Sequence, residues 1–546
     1  MEQASREKAA PIVVWRYRII IVAIGLLIGI LALWGANKKI LGLFHDDGIY
    51  AVVARSLAQG SGYQIISLPG ALPQTKYPFL YSYLLSWIWS FDGNFPHNIF
   101  LLKSVNIALL IALFFAAIVF YRRASSDTSG WGVVFSVLLC TNPIIFTLTD
   151  YVLSDLLLVL FTVIGLSLCS AGSELSSFRR IWLRLALVTG LACLTRSAAV
   201  PLAIASVTQS IVFRRFREGT FYILTVLMIV SPWLLWIATS PRPESGSLFD
   251  YYSAYNITGT RAGESGWSPE QHWTVISGNA HYLLDAFDLI FLLPLLPGFA
   301  AVVMLFSVVG MIFSIRKELV SFWSFFLSAL ALIVVWPFHP GRYLAPLIPL
   351  LLVFFFRGFK IVQSWILCWP PPSWRPMAQS WIAAFPIVIL LVLNGVWLSS
   401  YLLIRDDQTT RAVYGSRVPY GWHGFEESFG WIRQNTRSDS VLGTAYDPMY
   451  FLYTGRQAIR PALHRPATYF YPYGAANPDV GSVEEIKAQM EKLRVQYLII
   501  DPMDGYAEGK ATLRLFGQIV QSYGAKARLV FRSTDGKHRI YALESK

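Results

Sequence analysis

Two adjacent carboxylates, Asp46 and Asp47, stand in HDDGIYAVVARSLAQG just beyond the first long apolar segment, 17-YRIIIVAIGLLIGILALWGA-36. A carboxylate pair at the mouth of an apolar bundle is costly to desolvate, so ionisable groups at that depth are functional candidates by default. The chemistry they suit is transfer of a phosphate-linked group to a hydroxyl. A neutral hydroxyl is a poor nucleophile and needs a carboxylate beside it, and the departing phosphate needs cations or donors around it. Neighbouring side chains on a helix point in different directions, so one of the pair is expected to face the reaction centre. The other is expected to cap the helix that follows, since Asp is a favoured N-cap. Asp150 and Asp155 flank a second candidate turn, TLTDYVLSD. Asp155 opens an apolar run and has capping as its bland alternative. Lys76, in PQTKYPFLYSYL, either snorkels towards headgroups or holds a phosphate as a point charge. Arg196 and Arg342, near the ends of apolar segments, are the other phosphate candidates. His339, in FHPGRYLAP, is a candidate donor with a structural turn residue as the alternative.

These residues have to be positioned by a membrane bundle. The 546 residues are 55% hydrophobic and only 14% charged, against roughly 25% charged in soluble proteins. The net charge of +13 does not indicate nucleic acid, because the basic residues cluster between apolar segments. Arg122–Arg123, Arg179–Arg180, Arg214–Arg215–Arg217, Arg316–Lys317 and Arg357 with Lys360 each end or join such segments, which is the positive-inside pattern. The four cysteines form no CxxC and no Cys/His cluster, so neither a disulfide framework nor a zinc site is indicated. No cofactor or metal is indicated.

The hydropathy pattern predicts about eleven spans in residues 1–404: 17–36, 100–120, 131–148, 155–172, two within 181–213, 219–238, 287–313, 320–337, 343–356 and 380–403. The first is read as a retained helix rather than a cleaved signal peptide. Residues 37–99 are too polar to span, yet IYAVVARSLA and FLYSYLLSWIWSF read as helices along the outer membrane surface. A long outer loop covers 239–285, and 361–379, broken by Pro370–Pro371–Pro372, is read as a cytosolic connection. An odd number of spans places the N-terminus in the cytoplasm and the C-terminus outside. Residues 405–546 read as a small extracytoplasmic α/β domain. FEESFGWIRQNT is amphipathic, VLGTAYD and VQYLIID read as strands, EEIKAQMEKLR and 511–523 as helices, and ARLVFRS with RIYALES as a hairpin around Thr534–Asp535–Gly536. This domain carries no evident acid/base constellation. Its acidic residues, Asp447 among them, are expected to be dispensable for turnover, and its role to be gating or acceptor binding.

The ordered set of motifs resembles the GT-C membrane glycosyltransferases, in the branch of the protein O-mannosyltransferases and the lipid A aminoarabinose transferase. DDGIYAVVARSLAQGSGY resembles the family's acidic pair and interfacial helix, TKYPFLYSYLLS its Lys/Arg–Pro–Pro–Tyr/Leu segment, and LSDLLLVLF its second acidic position. LTRSAAVPLA and GRYLAPLIPLLL resemble the later Arg-bearing helices, and WIRQNTRSDSVLGTAYDPMYFLYTGRQAIRP the outer domain of many bacterial members. Two departures weaken any transfer of acceptor identity: Asp47 stands where Glu is common in protein mannosyltransferases, and Tyr77 where a first Pro often stands. The resemblance implies an inverting transferase of the inner (plasma) membrane. It implies a polyprenyl-phosphate sugar donor, no nucleotide sugar in the site, and transfer on the outer face to a lipid, glycan or protein acceptor. By position Asp46 resembles the catalytic acidic residue and Lys76 the residue near the lipid phosphate. The site expected is therefore Asp46, Asp47 and Asp155 for catalysis, with Lys76, Arg196, Arg342 and His339 around the donor phosphate. A polyprenyl-linked glycan ligase and a lipid-phosphate transporter or flippase without catalysis are the alternatives.

Overall fold

The computed structural model describes residues 2–125, 130–171, 178–244, 247–253, 269–291, 297–315, 319–336, 341–366, 375–403, 410–411, 417–418, 422–462, 482–503 and 507–544. The protein is a multi-pass α-helical membrane bundle with a small α/β domain at the C-terminal end. Among the described residues, five helical stretches are long and apolar enough to cross a bilayer: Tyr17–Gly35, Ile99–Ser125, Phe216–Thr239, Gly341–Trp365 and Phe385–Leu403. Trp131–Cys140 and Pro143–Asp150 pass the same test together, with a 55° bend between them. The break is written in the sequence. Asn142 accepts from the Ile144 amide (3.1 Å) with Pro143 at the first helical position, a strong restart signal. Asp155–Ser170, Ser197–Val212, Val302–Ile312 and Val320–Val335 are shorter apolar helices. The first span leaves Ile19, Ile20, Leu26, Leu27 and Ile30 exposed, a lipid-facing surface that water would not tolerate.

Two expectations change. The outer loop 239–285 contains the start of a helix, Pro269–Phe291, and the expected span 287–313 is that helix followed by a second, Pro297–Ile312. The first of these is polar at its start, with Glu270, Gln271 and His272, which is why it reads as loop. It is anchored instead by Asn279, whose amide donates to the Ile333 (3.1 Å), Val334 (3.0 Å) and Trp336 (2.7 Å) carbonyls at the end of Val320–Val335. The Ile333 carbonyl also accepts from the Trp336 amide (3.3 Å), so Asn279 adds to the capping of this helix end inside the bundle.

Asp46–Ala58 and Leu80–Phe91 are helices, as the patterns of IYAVVARSLA and FLYSYLLSWIWSF predict. Between them β1 (Gln64–Ile65) and β2 (Leu72–Pro73) form a short antiparallel pair. Another antiparallel pair, β3 (Thr410–Arg411) and β4 (Arg417–Val418), precedes the C-terminal sheet. The sheet has β5 (Val441–Gly443), β6 (Gln457–Ile459), β7 (Val495–Ile500), β8 (Ala527–Arg532) and β9 (Arg539–Leu543), in the order β6-β5-β7-β9-β8. β5 runs parallel to β6 and β7, while β9 is antiparallel to β7 and β8. The helix Trp422–Asn435 buries Phe425, Phe429 and Ile432, the face its periodicity exposes in sequence. Ser482 caps Val483–Lys492 by accepting from the Glu485 amide (3.2 Å), in a Ser-x-x-Glu arrangement. The parallel strand β6 and the short helix Asp447–Thr454 before it were not legible as such. That helix is the part of the domain that reaches the acidic pair.

Candidate functional site

Asp46 begins the helix Asp46–Ala58, and its carboxylate is the hub of a cluster of charges and aromatic rings. The Tyr77 hydroxyl donates to Asp46 Oδ1 (2.6 Å), and the Arg342 guanidinium forms an ion pair with Oδ2. Arg342 stands at the start of the Gly341–Trp365 stretch. It lies over the rings of Phe44 (4.8 Å) and Tyr343 (5.2 Å), which restrict where the guanidinium can go. Burial pushes the Asp46 carboxyl upward, but the charges of Arg342 and Lys76 and the Tyr77 hydroxyl outweigh it and hold the group well below the usual carboxylate range.

Asp47 faces the other way. It is 3% exposed and accepts from the Gly42 (3.1 Å) and Gly48 (2.8 Å) amides, closing the turn that leads into the helix. Burial raises its carboxyl to about 6, against the backbone donors and the Lys103 charge, which lower it. The two carboxylates are thus separated into one that meets the charged cluster and one tied to backbone.

Lys76 lies on the segment between β2 and the Leu80–Phe91 helix. Its ammonium donates to the Tyr251 carbonyl (3.4 Å) and sits 4.3 Å from the Tyr251 ring and 5.2 Å from that of Tyr77. Burial lowers its pKa to about 7, with the like charges of Arg342 and Arg460 adding to the effect and Asp46 and Asp447 opposing it. A small cavity beside it is lined by His45, Ile49, Ile65, Gln74, Lys76, Tyr77 and Tyr252.

Asp155 and Arg196 pair with each other at 2.6 Å. Arg196 sits in the break between the helix Phe178–Thr195 and the next apolar helix, and its guanidinium is 5.2 Å from the Tyr343 ring. One tyrosine therefore separates the Asp155–Arg196 pair from Arg342. Tyr50, bonded to Ser154 (2.8 Å) and packed on Tyr77 (5.0 Å), joins the pair to Asp46 from the other side. Of the seven residues expected at the site, the structure brings Asp46, Asp155, Lys76, Arg196 and Arg342 into one cluster, with Asp47 beside it and tied to backbone. His339 lies outside the described residues. Asp150 is turned to a structural task, accepting from Lys103 (2.9 Å) and from the Asn37 amide (2.7 Å).

Several members of the site were missed. Tyr77 registered only as a departure from a motif. Tyr251, Asp447 and Arg460 come from a loop and from the C-terminal domain, far from Asp46 in sequence. Asp447 is fully buried and meets His45 Nε2 at 3.0 Å, a contact the sequence did not indicate. Arg460 lies 5.4 Å from the Tyr251 ring, and its amide donates to the Tyr252 hydroxyl (3.2 Å). Among the described residues no group of three or more His, Cys, Asp and Glu side chains is arranged to hold a metal ion.

No family model matches the sequence, and no curated protein matches it by sequence. Solved structures do match along nearly the whole chain. ArnT from Cupriavidus metallidurans, bound to undecaprenyl phosphate, aligns with a TM-score of 0.55 at 14% identity over 96% of this chain and 98% of that one. The apo state of the same protein gives 0.55 at 12% identity, over 97% and 98%. The archaeal oligosaccharyltransferase AglB from Archaeoglobus fulgidus, in complex with an inhibitory peptide and a dolichol-phosphate, gives 0.56 at 11% identity over 97% of this chain and 74% of that one. At these identities the likeness is one of fold, and the fold is that of the GT-C membrane glycosyltransferases.

Proposed function

We propose that the protein transfers a sugar from a polyprenyl-phosphate carrier to an acceptor hydroxyl at the extracytoplasmic face of the inner membrane. The observation that carries this reading is the placing of one carboxylate, Asp46, against Arg342 and within the field of Lys76. A base and the cations for a departing phosphate are thereby within reach of one small reacting group. Two relatives of the fold, ArnT and AglB, were solved with undecaprenyl phosphate and with dolichol-phosphate, which supports a lipid phosphate as the donor's carrier.

In the reaction the acceptor oxygen attacks the anomeric carbon, the bond from that carbon to the phosphate oxygen breaks, and the hydroxyl proton passes to Asp46. Attack opposite the leaving group inverts the anomeric centre. The polyprenyl phosphate leaves as an anion, so it needs charge stabilisation rather than a general acid. Lys76 and Arg342 supply it, with Arg196 held one ring away. A carboxylate as acidic as the resting Asp46 is a weak proton acceptor. Donor phosphate competing for Arg342 and Lys76 removes the charges that make it so, and the base gains strength once the donor is bound. Asp155 keeps Arg196 in place, and Asp47 fixes the turn that aims Asp46. No cofactor is assigned a part.

The test is Asp46→Asn in purified protein, with undecaprenyl phosphate binding and sugar transfer from a panel of synthetic undecaprenyl-phosphate pentoses and hexoses measured separately. A general base contributes about 10²–10⁴-fold, so turnover is expected to fall at least about a hundredfold with lipid binding kept. Normal turnover in the folded variant would remove Asp46 from the mechanism. Tight lipid binding with no transfer of any sugar by the wild type would instead favour a lipid-phosphate carrier.

A further inference from the structure

We propose that Asp447, in the C-terminal domain, is a positioning residue for the acidic pair, acting through His45. The proposal rests on the reading of Asp46 as the working carboxylate and extends the site into a domain that otherwise looks accessory. His45 immediately precedes Asp46. Its backbone has φ 60° and ψ −61°, a conformation that a residue with a side chain keeps only where its surroundings hold it. Its carbonyl accepts from the Ile49 amide (2.9 Å) to start the helix, and its own amide donates to Gly42 (3.2 Å). The direction in which Asp46 leaves the chain is therefore set at His45.

The surroundings that hold His45 come largely from outside the bundle. Its Nε2 meets Asp447 Oδ1 at 3.0 Å across 402 residues of sequence. The ring lies 5.0 Å from Tyr251 and 6.0 Å from Tyr252. The helix Asp447–Thr454 is pressed onto the turn so closely that only glycine fits beneath it. A Cβ on Gly42 would lie 2.8 Å from Met449 Cβ and 2.9 Å from its Cα, and one on Gly48 would lie 2.9 Å from Pro448 Cβ and Cγ. Further bonds fasten the same domain on either side. The Leu41 amide donates to the Tyr453 hydroxyl (3.2 Å), the Ala458 amide to the Ser67 carbonyl (2.8 Å), and Gln457 to the Leu68 carbonyl (3.1 Å). Asp447 is at the centre of this contact, and its charge also acts on Lys76. A domain that merely covered the cavity would need neither a buried carboxylate at this point nor a pair of glycines under it.

The experiment compares Asp447→Ala, Asp447→Asn, His45→Ala and the Asp447→Ala/His45→Ala double variant in the full-length protein in nanodiscs. Hydrogen–deuterium exchange is read at residues 42–50 and in β5 and β7, together with undecaprenyl phosphate affinity. Asp447→Ala is expected to speed exchange at 42–50 at least about tenfold while β5 and β7 keep wild-type protection. The double variant is expected to go no further than either single one, because both remove the same bond. Asp447→Asn keeps an acceptor for His45 and is expected to restore protection at 42–50. Where a donor sugar is turned over, kcat falls in Asp447→Ala with the donor KM within about twofold, and the Asn variant recovers it. Unchanged exchange at 42–50 in Asp447→Ala, or additive effects in the double variant, would overturn the proposal. His45→Ala leaves the domain's own core intact, so it decides the matter if Asp447→Ala also loses protection in β5 and β7. Failure of the wild type to bind undecaprenyl phosphate would sink the donor reading and leave the exchange result standing by itself.

Discussion

The environment of Asp46 differs from that of Asp47 in what it offers a negative charge: two cations and a hydroxyl for the first, two backbone amides under heavy burial for the second. That difference assigns roles that adjacency in sequence leaves open. Lys76 is a cation whose charge depends on its surroundings. Its pKa is lowered to about 7 by burial and by neighbouring guanidinium groups, and a bound phosphate would raise it again. A cation whose pKa is raised on binding takes up a proton, so its contribution to affinity is complete below about 7 and declines as pH rises through that value. Undecaprenyl phosphate affinity, measured between pH 6 and 9, is expected to fall with pH more steeply in the wild type than in Lys76→Arg. The arginine variant stays charged and accounts for the lipid's own titration. Parallel curves would show that Lys76 does not touch the phosphate. Lys76→Ala should weaken lipid binding as well as turnover, since a fixed charge attracts phosphate in the ground state and in the transition state alike.

Among the elements, the helix Asp46–Ala58 is the one on which the site depends, and its apolar pattern made it legible. Its seat against Asp447–Thr454 was not, because a close approach of two backbones leaves only glycines as its mark, and glycines also mark ordinary turns. Gly48→Ala tests the seat. Its added carbon would meet Pro448 at 2.9 Å, and overpacking of this kind costs about 1–3 kcal/mol. The expected result is a lower melting temperature in detergent with a loss of turnover. Gly430→Ala, within the helix Trp422–Asn435, meets nothing within 4 Å. It should leave stability unchanged or raise it by about 0.5–1 kcal/mol, as removing a glycine from a helix interior does. Equal behaviour of the two variants would mean that the contact at Gly48 is loose. The helix Pro269–Phe291 shows the converse problem. Its polar first turns read as loop, and what makes it a helix here includes the three carbonyls that Asn279 satisfies on another helix.

For the whole molecule, the arginine clusters between apolar segments imply that the C-terminal domain lies outside with the acidic pair. A reporter fused after Lys546 should therefore score as extracytoplasmic. A cytosolic score would remove Asp46 and the sheet domain from the outer face together. Membrane class, most of the long apolar helices, the two helices Asp46–Ala58 and Leu80–Phe91 and most of the C-terminal strands followed from the sequence alone. Each rests on a local signal: apolar length, a period of 3.6 or 2, a cap or a turn. The candidate charges were also legible, because a carboxylate or guanidinium in so apolar a chain is conspicuous. Their partners were decided only in three dimensions. Asp46 finds Arg342 across 296 residues and His45 finds Asp447 across 402, and no local pattern encodes a contact at such separation. Packing of the bundle and docking of the sheet domain chose which of two neighbouring carboxylates meets the cations, and which is spent on holding the turn.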